Sequence, residues 1–375
     1  MNTAVAILIF ILILGIVVFV HEFGHFIMAR RAGIFVEEFA MGMGPKLLTF
    51  RGTKKTKKPL DGQEDVTLYT LRLFPLGGFC KMRGMDEAIP NDPEAMNNKS
   101  LFSRVLVIVG GSAMNFLLAL IIFAALAYLN GYSVPTVHGV LDNTPAQQAG
   151  LMPGDRITHF NGSRVGMWEN FRFMMEMSGG NELSLRVNRD GQRVDLAITP
   201  VLDPEDNVYR IGFVAAFRHG SRFGVSRSDP DYERATLFGS MGYALQTIGF
   251  QARLPFRMLT RFITRQPLPE GAGIVSVIGM GAQVTEIYQE VIEVGIVPTI
   301  LTMLMIAGFI NVALGIMNLL PIPALDGARL VFLIVEGIRR KPISLEREGM
   351  VHFVGFVILI ILLVVVASRD IVNLL

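Results

Sequence analysis

The chain contains 375 residues, of which 51% are hydrophobic and 18% charged, and its formal net charge at pH 7 is +2. Ordinary soluble domains are roughly 25% charged, and a disordered chain needs low hydrophobicity with high net charge. The composition therefore excludes disorder and argues against a wholly soluble protein. No basic run suggests nucleic-acid binding, and the single cysteine, Cys80, cannot form an intrachain disulfide.

Four apolar runs are long enough to approach the hydrocarbon thickness of a bilayer, which is about 30 Å. We expect each to form a transmembrane helix. A charged motif follows the first run at once, which argues against a cleaved signal peptide. The runs cover residues 4–20 with the next turn, 105–129, 296–320 and 351–367.

The short loops between the spans carry basic residues, which are held on the cytoplasmic side of a membrane. We therefore expect both loops in the cytoplasm, and the N-terminus, residues 130–295 and the C-terminus outside it. The basic residues of the two loops are Arg30, Arg31, Lys54, Lys55, Lys57 and Lys58, and then Arg339, Arg340, Lys341 and Arg347.

The segment Val66–Met82 has β-branched and aromatic residues around a Pro-Leu-Gly-Gly turn signal, which predicts a β-hairpin. A hairpin as apolar as this one has an exposed edge strand. That edge must pair with another strand, be covered by another part of the chain, or lie at membrane depth. Two interpretations stay open: a small cytoplasmic sheet, or a strand that pairs with an extended substrate. In the second, Gly77, Gly78 and Phe79 would contact the substrate.

Residues 139–165 combine short alternating strands, a small helix and a Met-Pro-Gly-Asp turn, which predicts a compact α/β module. Its Pro-Ala-x-x-Ala-Gly-Leu, Gly-Asp and Asn-Gly elements resemble the PDZ domains of bacterial proteases. Such domains hold a peptide C-terminus, and the candidate loop here is 209–214, with backbone N–H groups from Ile211, Gly212 and Phe213. A simple edge strand is the alternative.

A further helix is predicted within residues 235–266, where Pro255 would begin or kink it. Arginines recur there every fourth residue and would form one cationic stripe opposite an apolar one. An interfacial amphipathic helix is the preferred interpretation, and a solvated helical face is the alternative. The arginines are Arg253, Arg257, Arg261 and Arg265, and the apolar residues are Phe256, Leu259 and Phe262.

The motif His21-Glu22-Phe23-Gly24-His25 ends the first apolar run. Residues four apart share a helix face, so both imidazoles can reach one cation while Glu22 contacts a water bound to it. Imidazole suits zinc, and Glu22 would be a general base and then a proton donor to the leaving amine. A solvated helix end is the alternative, but each ionisable residue at membrane depth costs roughly 2.5–3.5 kcal/mol.

A catalytic zinc site normally has three protein ligands and one position for water. The sequence Asn-Leu-Leu-Pro-Ile-Pro-Ala-Leu-Asp-Gly at 318–327 ends the third run, and its prolines break the helix, so that Asp326 can turn inward. The predicted topology places His25 and Asp326 at similar depth. Asn318 could bind substrate backbone or the developing oxyanion, with a hydrogen bond between helices as the alternative.

Together these elements resemble the site-2 protease family of intramembrane zinc metalloproteases, in particular the bacterial regulator-of-sigma-E protease type with four spans and one inserted PDZ domain. The matching elements are HEFGH at 21–25, GGFCKM at 77–82, GGSAMN at 110–115, the PDZ-like run and NLLPIPALDG at 318–327. The resemblance implies one zinc ion per chain bound by His21, His25 and Asp326, with Glu22 catalytic and Asn318 assisting.

The implied fold is a polytopic α-helical membrane protein with four transmembrane helices, a cytoplasmic or membrane-associated β-hairpin and an inserted extracytoplasmic PDZ-like α/β domain. The implied location is the bacterial plasma (inner) membrane, with the active site near its cytoplasmic side. The substrates would be single-span membrane proteins already shortened by another protease, such as anti-sigma factors or remnant signal peptides. The expected divisions are 1–130, 131–218 (PDZ-like), 219–294 (linker with amphipathic helix) and 295–375.

Other classes of protein fit less well. A metal-ion transporter should show ligands at several depths or paired half-helices, and here the candidate ligands cluster at one end. A PDZ scaffold with a decayed enzyme site would have lost a ligand or Glu22. A membrane-anchored soluble metalloprotease would have a soluble catalytic domain after the motif.

Overall fold

The structure is a computed structural model that describes residues 2–57, 59–60, 62, 64–133, 135–203, 208–215, 232–233, 236–265 and 276–374. The chain divides into two compact units. The first unit comprises Met1–Ala119 and Gly273–Leu375, and the second comprises Leu120–Ala272. The four-part division expected from the sequence stays a prediction.

The helices, in chain order, are α1 Asn2–Arg31, α2 Leu101–Asn130, α3 Pro145–Gln148, α4 Trp168–Glu176, α5 Leu237–Ile263, α6 Val277–Ile292, α7 Ile296–Leu319, α8 Asp326–Arg339 and α9 Leu345–Leu374. Over the part of the chain that the structure describes, four of them, α1, α2, α7 and α9, are long and apolar enough to cross a bilayer. These are the four runs predicted from hydropathy, and that prediction is confirmed.

The strands are β1 Val36–Lys55, β2 Val66–Met82, β3 Tyr132–Ser133, β4 Val137–Val140, β5 Arg156–Phe160, β6 Ser163–Arg164, β7 Leu183–Arg189, β8 Gln192–Ile198, β9 Val201–Asp203, β10 Val208–Arg210, β11 Phe213–Ala215 and β12 Tyr232–Glu233. β1 and β2 belong to the first unit and the others to the second.

The prediction of a hairpin within residues 66–82 is wrong, because the two halves of this segment do not pair with each other. Both halves pair with β1 instead, so that Glu38 lies opposite Leu68 on one side and Lys81 on the other. The start of β1 thus lies between the halves and supplies backbone partners to both. We missed this strand because charged residues and glycines interrupt its apolar pattern.

The first unit has two buried clusters that join its helices to the sheet. One contains Ala29 of α1, Val36 and Cys80 of the sheet, Val107 of α2 and Leu333 of α8. The other joins α1, α6 and α7. Its buried members are Ala6, Phe10, Ile13, Val17, Val284, Tyr288 and Met303. The helix α6 was not predicted. Ser276 caps its N-terminus, where the side chain accepts a hydrogen bond from the Gly279 amide.

The second unit contains a four-stranded sheet of order β6-β5-β7-β8. β4 pairs separately with β11, and the short helices α3 and α4 complete the module. Its apolar side chains form one core, which includes Ile157, Leu185, Phe171 and Ile211. This is the compact α/β module expected from the sequence.

The predicted amphipathic helix is present as α5 and continues through Pro255. Its arginines do not form the uniform stripe that the spacing suggested. Arg261 is buried and donates a 2.7 Å hydrogen bond to the Met177 carbonyl, whereas Arg253 is exposed. Arg265 lies beyond the last helical residue, Ile263. Packing against the module therefore divides the arginines among different environments.

Candidate metal centre

Helix α1 places two imidazoles of the first unit side by side. His21 and His25 are one turn apart, and only 6% and 5% of their surfaces are exposed. Their rings cross at 83° with centroids 4.8 Å apart, and their Nε2 atoms are separated by 3.2 Å. The helical spacing thus directs one nitrogen from each ring to the same point.

Asp326 reaches that point from the start of α8. The chain turns sharply before it, with Ala324 at a φ of 73°, and Gly327 follows so closely packed that a β-carbon there would collide with the Leu320 carbonyl. The Oδ2 atom of Asp326 lies 3.1 Å from Nε2 of His21 and 3.0 Å from Nε2 of His25.

These three side chains have the donor set and spacing that zinc requires. Their ligand atoms lie within 4.8 Å of one another, and the measured separations of 3.0–3.2 Å are close to the roughly 3.3 Å between ligands in a tetrahedral zinc site. One carboxylate oxygen and two imidazole nitrogens are ligands that zinc accepts, so the three side chains together fit this ion.

Contacts from α2 orient both imidazoles. Nδ1 of His25 donates to the Val107 carbonyl at 2.8 Å, which leaves Nε2 as the lone-pair donor. Nδ1 of His21 lies 3.3 Å from the Asn115 amide. Because an asparagine amide fits in either orientation, its Oδ1 can accept from Nδ1–H and leave Nε2 of His21 free in the same way. Such partners fix the tautomer of a ligating histidine.

The backbones of α1 and α2 come unusually close beside the imidazoles. A β-carbon on Gly24 would collide with the Gly110 carbonyl, and one on Gly111 would collide with Nε2 of His25 and lie 2.7 Å from Cε1 of His21. Small residues allow membrane helices to approach in this manner. Gly110 therefore allows the two backbones to approach, and Gly111 leaves the space that the imidazoles occupy.

A cavity of about 550 Å³ opens beside the three candidate ligands. Glu22, Asn318 and Phe79 line it, as does His352 of α9. Nδ2 of Asn318 lies 3.4 Å from Nε2 of His21. Glu22 and Asn318 are thus both beside the predicted ligands.

A second cavity of about 270 Å³ continues from Glu22 along α1 and is mostly apolar. Gly77 and Gly78 line it. A β-carbon on Gly78 would meet Cγ of Glu22 at 3.3 Å. The structure therefore brings the predicted strand positions next to the predicted catalytic carboxylate.

The three PDZ-like candidates lie in the second unit, at the turn from β10 to β11. Ile211 is buried in the core of the module, and its carbonyl accepts from Ala146 at 2.8 Å. The Gly212 carbonyl accepts from Leu141 at 3.0 Å. Peptide binding by Ile211, Gly212 and Phe213 stays a prediction.

Sequence reasoning missed three contributors to the site. Val107 acts through its backbone, for which a sequence has no signal, whereas Gly111 and Asn115 belong to the GGSAMN segment noted only as a resemblance. Two glycines and an amide within an apolar run are the signal that could have identified Gly111 and Asn115.

The sequence pattern described as peptidase family M50 matches residues 9–362. The chain belongs to this family. A relative from Clostridium acetobutylicum is 31% identical over 99% of this chain and 97% of its own. The regulator of sigma-W protease RasP of Bacillus subtilis is 29% identical over 99% of this chain and 98% of its own.

This M50 member is a membrane zinc metalloendopeptidase, in line with relatives such as the zinc metalloprotease RasP of Bacillus licheniformis, 29% identical over 99% of both chains. A solved PDZ domain of an SdrC-like protein from Listeria innocua matches 23% of this chain and 97% of its own, at 20% identity and a TM-score of 0.21. With so low a score, the PDZ assignment stays a prediction.

Proposed function

We propose that this M50 enzyme binds its zinc ion through His21, His25 and Asp326 and cleaves peptide bonds in or beside the transmembrane segments of single-span membrane proteins. The observation that carries the proposal is the convergence of three ligand atoms that are buried or half-buried. Two come from the candidate membrane helix α1, and the third comes from the turn that follows the candidate membrane helix α7.

Side chains of the protein carry out the proton transfers and stabilise the developing charge. Zinc, when bound, supplies a Lewis acid that activates water and polarises the scissile carbonyl. The Glu22 carboxylate takes a proton from the attacking water and passes it to the leaving nitrogen. The Asn318 amide, which lines the same cavity, donates to the substrate backbone or to the oxygen on which negative charge develops.

The sheet beside Glu22 receives the substrate as an extended strand. A substrate helix hides its carbonyls in its own hydrogen bonds and must unwind before attack. A strand that pairs with it replaces those hydrogen bonds. The cavity lined by Gly77 and Gly78 reaches Glu22, and Met43, Phe50 and Phe74 present exposed apolar side chains on this sheet, as a surface at membrane depth requires.

The positive-inside pattern supports a site near the cytoplasmic face of the bacterial inner membrane, with both termini and the α/β module outside the cytoplasm. The module serves as a PDZ-like domain that binds a new C-terminus or excludes bulky substrates. The relative named regulator of sigma-W protease favours anti-sigma factors as substrates, and remnant signal peptides share their single-span form.

The proposal is tested with detergent-purified protein and a single-span model substrate, with and without a zinc chelator. Glu22→Gln is expected to abolish cleavage while bound zinc stays near its wild-type content. The matched control is Glu286→Gln, which removes an exposed carboxylate of α6 in the same unit and should leave cleavage unchanged. Wild-type cleavage by Glu22→Gln would disprove the mechanism, and loss of zinc would make Glu22 a ligand or a structural residue.

A further inference from the structure

The second unit contains a cationic cavity of about 320 Å³ between α5 and the α/β module. Arg253 and Arg257 line it from α5, and Arg164 lines it from β6. Asn170 of α4 also lines it, and its buried Oδ1 has no hydrogen-bond partner. The cavity thus gathers three guanidinium groups and an unsatisfied amide.

The charge of this cavity is not compensated by its described surroundings. Among the side chains that the structure describes, no carboxylate lines the cavity, and none forms an ion pair with Arg164, Arg253 or Arg257. Burial lowers the pKa of Arg257, and the charge of Arg253 lowers it further. Guanidinium groups bind phosphate oxygens with paired hydrogen bonds. A phosphate group in the cavity would therefore supply both the negative charge and the hydrogen-bond acceptors that these arginines lack.

One face of α5 packs firmly on the module. Tyr243 stacks on Tyr132 with ring centroids 4.8 Å apart. Thr247 donates to Sδ of Met167 at 3.1 Å, and Phe250 meets the Phe173 ring edge-on at 5.4 Å. These contacts fix the rotation of the helix about its axis.

Another face of α5 is apolar and exposed. Phe238 is 88% exposed and Ile263 is 70% exposed. The residues of this face recur at intervals of three, four and eleven, which all return to one side of a helix. They are Phe238, Met241, Leu245, Phe256, Leu259 and Ile263. We name this set the apolar stripe.

The cavity lies along the edge of the apolar stripe, since Leu245 belongs to both and Arg253 and Arg257 are the next side chains round the helix. An apolar stripe bordered by arginines is the pattern of a helix that lies in the bilayer interface, with its apolar side among acyl chains and its cations among headgroups. α5 is not among the helices apolar enough to span a bilayer.

We propose that α5 lies on the membrane surface through the apolar stripe and that Arg164, Arg253 and Arg257 bind the phosphate of an anionic phospholipid headgroup. Charge complementarity selects this occupant, because an anionic headgroup supplies the missing negative charge at the depth where the stripe meets acyl chains. The inference concerns the second unit and does not rest on the catalytic assignment of the first.

The test uses the full chain in detergent and measures retained lipid by native mass spectrometry during titration with dioleoylphosphatidylglycerol or dioleoylphosphatidylcholine. The double variant Arg253→Gln/Arg257→Gln is expected to weaken retention of phosphatidylglycerol about tenfold and to leave that of phosphatidylcholine unchanged. The matched control is Arg172→Gln/Arg193→Gln, which removes two exposed arginines of the same unit and should match the wild type.

The outcomes separate the lipid from other anions. Equal weakening by the control pair, or equal affinity of the wild type for both lipids, would overturn the proposal. Displacement of the lipid by millimolar inorganic phosphate would identify a free-anion site instead, and displacement by an acidic peptide would identify a protein ligand. Arg164→Gln alters the opposite wall at an exposed residue and should also weaken phosphatidylglycerol retention, even if the double variant misfolds.

A second measurement addresses docking in a bilayer. Backbone hydrogen exchange of residues 237–263 is compared in nanodiscs of phosphatidylcholine alone and with phosphatidylglycerol. Wild-type exchange should be slower with the anionic lipid, and Arg253→Gln/Arg257→Gln should remove that difference while matching the wild type in phosphatidylcholine. Equal exchange rates of the wild type in both kinds of nanodisc would contradict headgroup binding.

Discussion

Gly111 of α2 lies directly against the imidazole of His25, where a β-carbon would collide with Nε2. The same two helices touch through Gly24 and Gly110, so a shift of α2 away from the imidazole would break that contact. The spacing between these two helices therefore decides where the candidate ligand atoms lie.

Gly111→Ala is accordingly expected to displace both imidazoles and weaken zinc binding by about tenfold or more, as loss of supporting contacts does in other zinc sites. Zinc content after dialysis against graded chelator is the measurement. Gly349→Ala is the matched control, since a β-carbon there meets nothing within 4 Å. Equal zinc content in both variants would show that the site tolerates the added methyl group.

Asp326→Asn should weaken zinc binding and stop turnover without unfolding the helices, because the amide removes the negative charge that balances the cation. Bound zinc and cleavage are measured together, with thermal unfolding as a check on the fold. The control is Asp86→Asn, an exposed carboxylate that lies 3.1 Å from Arg329. Wild-type zinc and activity in Asp326→Asn would place the third ligand elsewhere.

Cys80 is expected to resist thiol reagents in the folded protein. Burial raises the pKa of its thiol, and the nearby Glu22 carboxylate raises it further, so the reactive thiolate stays scarce even at mildly alkaline pH. Maleimide labelling between pH 7 and 9 should be slow before denaturation and complete after it. A Cys80→Ser/Ser163→Cys variant, with its thiol on an exposed strand, should label quickly. Rapid labelling of native Cys80 would mean that β2 opens readily.

Removal of residues 134–217 with a flexible linker in their place should leave a folded zinc enzyme, because the module has its own core and all the proposed catalytic residues lie outside the deletion. The variant should cut a short model substrate and accept larger outer domains than the intact enzyme does. Paired substrates that differ only in that outer domain provide the measurement. If the deletion variant rejects the bulky substrate as fully as the intact enzyme does, the module is not the filter. If the variant loses zinc, the module supports the metal site.

Elements with local causes could be predicted from the order of the amino acids. Hydropathy over about twenty residues is enough to recognise a membrane helix, and all four spans were predicted. The four-residue spacing of His21 and His25 fixes a shared helix face, and the prolines before Asp326 indicated the turn that carries it to them.

The partners that complete these elements follow from long-range packing and could not be predicted in the same way. The pairing of β1 with both halves of β2 depends on backbone hydrogen bonds between residues distant in sequence, which side-chain periodicity does not encode. The Val107 carbonyl and the Gly111 backbone reach the imidazoles only because α1 and α2 approach closely. The arginines of α5 had a regular spacing in the sequence, but packing against the module buried Arg261 and left Arg253 and Arg257 at a cavity. Long-range packing thus assigned different environments to residues that look alike in the sequence.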